Sequence, residues 1–228
     1  MNRMGRRRGV TVALVGPDGA GKTTIARRLE SDLDLPVAYV YMGVSAESSN
    51  HLLPTTRLIR AARRRAGVVE RGPGAPKAPH DNRQSLRHSL RAALRLANRI
   101  AEESYRQMIV SWHRAAGRVV LLDRHFFADY YVHDIESSEQ LPLSRRLHGL
   151  FISKVLPRPE LIVYLDVPAD ELFRRKGEGT IELLEAMRVG YRRLEAVAPR
   201  FVSVDANRPL DDVVHDVIAC IRQHGGRQ

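Results

Sequence analysis

The sequence predicts an α/β protein, a five-stranded parallel sheet with helices on both faces, and three observations carry that reading. Five short β-branched or aliphatic runs, Val10–Val15, Pro36–Tyr41, Arg118–Leu122, Leu161–Leu165 and Phe201–Val204, are separated by longer helical patterns. The runs are mostly continuous in apolar character rather than alternating, which is what strands covered on both faces require. The first run leads into Gly16-Pro17-Asp18-Gly19-Ala20-Gly21-Lys22-Thr23, which fits G-x-x-x-x-G-K-[ST] without a mismatch.

The element that follows this loop is a helical run from Thr24 to about Leu33. Between Ala66 and Ser85 the chain is dense in Gly and Pro without periodicity, so a mobile loop is expected there. From Leu86 to about Ala116 the apolar positions Leu90, Leu94, Ala97, Ala101, Tyr105, Met108 and Trp112 recur at intervals of three and four. That spacing predicts one long amphipathic helix, with Arg99, Glu103 and Arg106 along its flanks. Leu210–Ile221 opens with Asp211 and Asp212 and then places Val213, Val214, Val217, Ile218 and Ile221 on one side, a closing helix with acids in its first turn.

Composition sets the outer limits. With 228 residues, 43% of them hydrophobic and 28% charged, the chain suffices for one domain spanning 1–228. Its longest apolar runs fall far short of the roughly 20 residues needed to cross a bilayer, so no membrane association is expected. Residues 1–8 read as a basic tail on a cytoplasmic protein, without the apolar core of a secretory leader. The one cysteine, Cys220, excludes an intramolecular disulfide and any cysteine-based zinc cluster, and its apolar helical setting predicts an inert thiol. The net charge of +11 is concentrated: residues 57–118 hold 15 Lys/Arg against 4 Asp/Glu, and the remainder is balanced at 22 against 22. Either a solvated basic face or a surface for phosphate or polyanion accounts for this. No motif that reads DNA or RNA is present, so nucleic acid is not an expected partner.

The glycine-rich loop explains its own spacing. Glycines let successive N–H groups curl inward around a phosphate, and the helix that begins near Lys22 adds its positive dipole end. The cradle is Gly16, Asp18, Gly19, Ala20 and Gly21; Lys22 reaches the β- and γ-phosphates of ATP, Thr23 offers a hydroxyl to Mg²⁺, and Thr24 completes the helix start. A Mg²⁺ site of this type also uses an acid at the end of a neighbouring strand. Asp123 and Asp166 both end strands at the carboxyl edge of the sheet, where ligands bind. Asp123 is favoured, because Arg124 beside it brings phosphate-binding charge, whereas Asp166 precedes Val167-Pro168 and a helix start.

Four segments, in order along the chain, resemble the thymidylate kinase family of P-loop nucleoside monophosphate kinases and its thymidylate kinase-like relatives. They are the loop 16–24, Gly117-Arg118-Val119-Val120-Leu121-Leu122-Asp123-Arg124-His125, residues 159–168 with Leu172-Phe173-Arg174-Arg175-Lys176-Gly177, and Val204-Asp205-Ala206-Asn207-Arg208-Pro209-Leu210. The resemblance runs from about 9 to 222, with 44–98 poorly matched. It implies a P-loop NTPase fold with a basic LID at 172–180, ATP as donor, Mg²⁺, and a homodimer. It further implies that Asp18 contacts the acceptor's sugar hydroxyl, that Arg124 binds phosphate between donor and acceptor, and that Asn207, Arg208 and Pro209 lie against the adenine.

The family takes a catalytic arginine from the phosphate loop or from the LID. Gly19 and Ala20 occupy the loop positions here, so Arg174, Arg175 and Lys176 are the candidates, Arg175 ahead of Arg174. On the acceptor side, Arg99 or Arg106 on the long helix suits an acceptor phosphate, and Phe127, with Phe126, Tyr130 and Tyr131, suits stacking on a base or sugar. One departure is plain: the family's Arg-Glu-Pro-Gly-Gly-Thr-like acceptor segment after the second strand is replaced by Tyr39-Val40-Tyr41-Met42-Gly43-Val44-Ser45. The expected activity is therefore transfer of the ATP γ-phosphate to a nucleoside monophosphate, dTMP first. The alternatives are a kinase of another small acceptor, such as a deoxynucleoside, sugar or antibiotic hydroxyl, and an ATP-dependent module that binds a polyanion or a protein.

Overall fold

The computed structural model describes residues 9–42, 53, 56, 65, 85–125 and 143–225. The tail 1–8, the Gly/Pro-rich segment 66–84, and Phe126, Phe127, Tyr130 and Tyr131 lie outside the described residues. Five strands form one sheet: β1 (Thr11–Val15), β2 (Val37–Tyr41), β3 (Val119–Asp123), β4 (Leu161–Asp166) and β5 (Phe201–Asp205). Their order is β2-β3-β1-β4-β5 and every pairing is parallel. All five coincide with the apolar runs of the sequence to within a residue or so at each end, and the central three, β3, β1 and β4, are buried on both faces. In β1 and β3 every residue is buried.

The helices divide between the faces. α1 (Lys22–Asp32) and α6 (Leu210–Gly225) cover one face, where Ile25, Leu29, Val213 and Val217 meet Leu14, Leu121, Val163 and Leu165. α2 (Ser85–Ala115), α3 (Leu143–Lys154) and α5 (Ile181–Arg193) contribute to the other, where Val110, Ile152 and Tyr191 meet Val15, Leu122 and Tyr164. α4 (Ala169–Lys176) bridges the end of β4 and α5 and stops at Gly177 in a left-handed C-cap. Each fully buried Leu, Ile or Val on these faces contributes about 1.5–3 kcal/mol relative to an exposed one. Among the described residues no helix is long and apolar enough to cross a membrane.

The long helix turns much of its periodic apolar stripe outward. Leu94, Met108 and Trp112 of the periodic stripe are 61%, 60% and 61% exposed, and Ala97 and Ala101 are exposed with them. The helix instead buries Glu102, Glu103, Arg106 and Val110. Periodicity locates a stripe but not the direction it faces, and the buried carboxylate of Glu103 is tolerated because it is paired. His148 Nε2 lies 2.8 Å from both carboxylate oxygens of Glu103, and Arg99 Nε donates to Glu103 at 3.3 Å. Cys220 is half-buried beside the α1 and α6 core, and burial pushes its thiol up, away from the reactive thiolate.

Candidate nucleotide site

Parallel order places the carboxyl ends of all five strands on one edge, and between β1 and β3 the chain direction of connection reverses, the position where α/β sheets bind ligands. A cleft of about 680 Å³ lies there, lined by the phosphate loop, Asp123, Arg124, Tyr39, Tyr41, Arg27 and Lys176. The loop geometry depends on two glycines in particular. Gly21 takes φ 87° as the N-cap of α1, a conformation L side chains rarely hold. Gly16 takes φ 150°, and a Cβ there would meet the Leu165 carbonyl oxygen at 2.9 Å.

Lys22 is buried at 7% exposure and its Nζ donates to the carbonyls of Gly16 and Pro17, both at 2.8 Å. The ammonium is thus held across the mouth of its own loop. Thr23 Oγ1 donates to Asp123 Oδ2 at 2.9 Å, joining the start of α1 to the end of β3. A hydroxyl and a carboxylate together are hard oxygen donors, the set that suits Mg²⁺ when nucleotide phosphates supply the rest. Asp166, the other strand-end acid, is engaged elsewhere. It accepts from Arg188 Nε at 2.9 Å, Arg192 Nη2 at 2.7 Å and Tyr164 Oη at 3.0 Å. Burial works against its charge, and those three donors outweigh it, holding the carboxyl below the ordinary range.

Arg124 follows Asp123 with φ 61°, the one non-glycine residue with positive φ among the described residues. That left-handed turn sends its guanidinium to Asp18, with which it makes an ion pair across the loop. Asp18 also lies 3.6 Å from Lys22 Nζ. His125, next along, is buried, and burial pushes it down to about 4, so it is neutral near pH 7.

Of the LID candidates, Arg175 reaches the loop: Nη1 lies 3.4 Å from the Gly19 carbonyl and Nη2 lies 3.2 Å from Asn207 Oδ1. Arg174 is 78% exposed and turned to Glu171, and Lys176 lines the cleft while pairing with Glu178 at 3.4 Å. Asn207 therefore stands at the loop, but its neighbours turn away. Arg208 pairs with Asp216 on α6, and the Pro209 carbonyl accepts from the N–H groups of Asp212 and Val213 at the helix start.

On the acceptor side, Arg99 is half-exposed and bonded to Glu103, whereas Arg106 is 4% exposed. Burial lowers the Arg106 pKa, and Glu102, Glu103 and Tyr41 offset part of that effect. Tyr39, Tyr41 and Arg27 were not singled out by sequence reasoning. Their signal is positional: Tyr39 and Tyr41 sit near the carboxyl end of an edge strand, and Arg27 sits one turn into the helix that the loop opens.

Over 218 residues, 93% of its length, the chain is 27% identical to a protein named probable thymidylate kinase from Pyrobaculum calidifontis, covering 95% of that relative. It is 27% identical over 221 residues to the thymidylate kinase of Xanthomonas euvesicatoria pv. vesicatoria, covering 93% of this chain and 83% of that one. A thymidylate kinase of Xanthomonas oryzae pv. oryzae matches over the same span at 28% identity. No family model matches the chain.

Proposed function

We propose that this homologue of archaeal and bacterial thymidylate kinases transfers the γ-phosphate of ATP to a nucleoside monophosphate, with dTMP the first acceptor to examine. The observation that carries the reading is the Thr23 to Asp123 hydrogen bond at 2.9 Å, beside a buried Lys22 in an intact glycine-rich loop. Thr23 and Asp123 would hold Mg²⁺, which would supply positive charge against the negative charge that develops on the phosphates. Lys22 leaves the Gly16 and Pro17 carbonyls for the phosphates, and the loop N–H groups replace water around them. Arg175, already against the Gly19 carbonyl, supplies positive charge to the migrating group, while Arg124 orients phosphate between donor and acceptor. Asp18, paired with Arg124, orients an acceptor hydroxyl. Positioning and electrostatics suffice for in-line transfer, which agrees with a buried, neutral His125 that takes no part.

A second reading keeps the chemistry and changes the acceptor to a neutral hydroxylated compound such as a deoxynucleoside or a sugar. It is favoured by Arg106, which is only 4% exposed and lies where the charges of Glu102 and Glu103 act on it. The working unit is a homodimer, a reading supported by the outward stripe of Leu94, Met108 and Trp112 on α2 and by Leu147 and Leu150 on the neighbouring α3. Trp112→Glu is expected to shift the sedimentation coefficient to that of a monomer; an unchanged value overturns the dimer.

The deciding experiment measures ADP formed from ATP and Mg²⁺ with dTMP, other monophosphates, deoxynucleosides and sugars, with Lys22→Ala as control. Lys22-dependent turnover with dTMP supports the first reading. Turnover confined to unphosphorylated acceptors supports the second, and ATP binding without turnover on any of them overturns both.

A further inference from the structure

Asp123 Oδ2 accepts two hydroxyl hydrogen bonds, one from Thr23 Oγ1 at 2.9 Å and one from Tyr39 Oη at 2.8 Å. The first belongs to the phosphate loop and its strand-end acid. The second comes from β2, and nothing in the loop motif asks for it. In the ladder Tyr39 stands opposite Leu121 and Tyr41 opposite Asp123, so Tyr39 shares a sheet face with Asp123 on the diagonal, within reach of a long side chain. Its ring packs against the core on the α1 side while its hydroxyl end lines the nucleotide cleft. Asp123 itself is 1% exposed, so its orientation is set by protein donors rather than by bulk water.

Two donors on one carboxylate oxygen have a geometric consequence. They pin the plane of the carboxyl group, and Oδ1 is taken by neither of them. Mg²⁺ demands near-ideal octahedral geometry at about 2.0–2.1 Å, so a carboxylate free to rotate serves it poorly. Hydrogen-bond partners that orient a metal's ligands are worth about 10–100-fold in metal affinity. The ring alone would satisfy the packing; the hydroxyl is spent on the carboxylate.

The geometry points to Tyr39 as a positioning residue for the divalent cation, acting through Asp123 and touching neither nucleotide nor reacting atoms. This rests on the phosphotransferase reading above. The phenol holds the Asp123 carboxylate in the orientation that receives Mg²⁺ arriving with the nucleotide, and a phenylalanine in its place keeps the packing but frees the carboxylate.

The test is equilibrium binding of ATP to the full chain, in EDTA and across a Mg²⁺ titration, for wild type, Tyr39→Phe, Asp123→Asn and the double variant. In EDTA, Tyr39→Phe is expected to bind ATP as wild type does, which also reports that its loop is folded. The Mg²⁺ concentration that half-completes the tightening is expected to rise about 10-fold. The double variant is expected to respond to Mg²⁺ no worse than Asp123→Asn alone, since the hydroxyl acts only through that carboxylate. A Tyr39→Phe titration that overlays wild type, or a further loss on top of Asp123→Asn, overturns the inference while leaving the phosphotransferase reading standing. Wild-type protein that binds no ATP in either condition overturns both.

Discussion

Arg175 Nη1 lies 3.4 Å from the carbonyl oxygen of Gly19, so the C-terminal end of α4 touches the glycine-rich loop. Glu171 anchors that arginine through Nε at 2.7 Å, and Asn207 holds its other arm at 3.2 Å. Its neighbour Arg174 shares Glu171 but points to solvent. Two adjacent arginines are thus distinguished by which one faces the loop, and the proposed transfer assigns the LID cation to Arg175 on that ground.

Arg175→Ala is therefore expected to lower kcat by about 100-fold or more, the scale of losing one preorganised positive group at a transferring phosphoryl. Arg174→Ala is expected to stay within a few-fold of wild type. Steady-state kinetics at saturating ATP separates the two, and equal losses would remove the distinction drawn from the geometry.

Lys22→Ala removes two hydrogen bonds to the carbonyls of Gly16 and Pro17 and leaves β1 and α1, on either side of the loop, with their own backbone hydrogen bonds. Turnover is expected to fall at least about 100-fold, while the far-ultraviolet circular dichroism spectrum stays as in wild type. A variant that keeps its activity contradicts the placement of ATP in this loop.

Asp166→Asn tests the division of labour between the two strand-end acids. Removing this charge leaves Arg188 and Arg192 without their shared counter-ion, a loss of about 2 kcal/mol in stability for a partly buried pair. Because the folded carboxyl is held below its ordinary 3.8, its contribution is complete above that value and is lost as pH falls through the folded pKa. Denaturant melts near neutral pH should show the loss, and the Mg²⁺ dependence of ATP binding should not move. A shifted Mg²⁺ dependence would reassign the metal to Asp166.

His125 sets part of the acid limit of the fold. Its folded pKa is about 4 against 6.5 in the unfolded chain, so folding excludes a proton that the unfolded chain binds. The stabilising contribution is whole above 6.5 and is lost as pH falls towards about 4, a span worth about 3 kcal/mol. His125→Gln is expected to flatten stability against pH within that window. An unchanged slope in urea melts between those values would show that another group governs it.

What could be read in advance divides along physical lines. The turn from Gly16 to Thr23 was legible because it is local backbone, where glycine spacing and one helix start decide the geometry. Asp123 and Asp166 were both legible as strand ends, but their separation into a Thr23 partner and an arginine counter-ion depends on contacts 100 and 22 or more residues away in sequence. Tyr39 was invisible as a site residue because its significance is a diagonal contact to a strand 84 positions distant.

The sequence by itself determined the five parallel strands, the phosphate loop and the helix that the loop opens. Strands buried on both faces need continuous apolar runs, and such runs are written locally. Tertiary structure alone decided which face of α2 turns inward, since Leu94, Met108 and Trp112 point outward while Glu103 turns in to meet His148. It also decided which arginine meets the loop and which acid meets Thr23. A helical period gives a direction around an axis but not the direction of the core, and a charge has no assigned partner until distant segments are brought within hydrogen-bond reach.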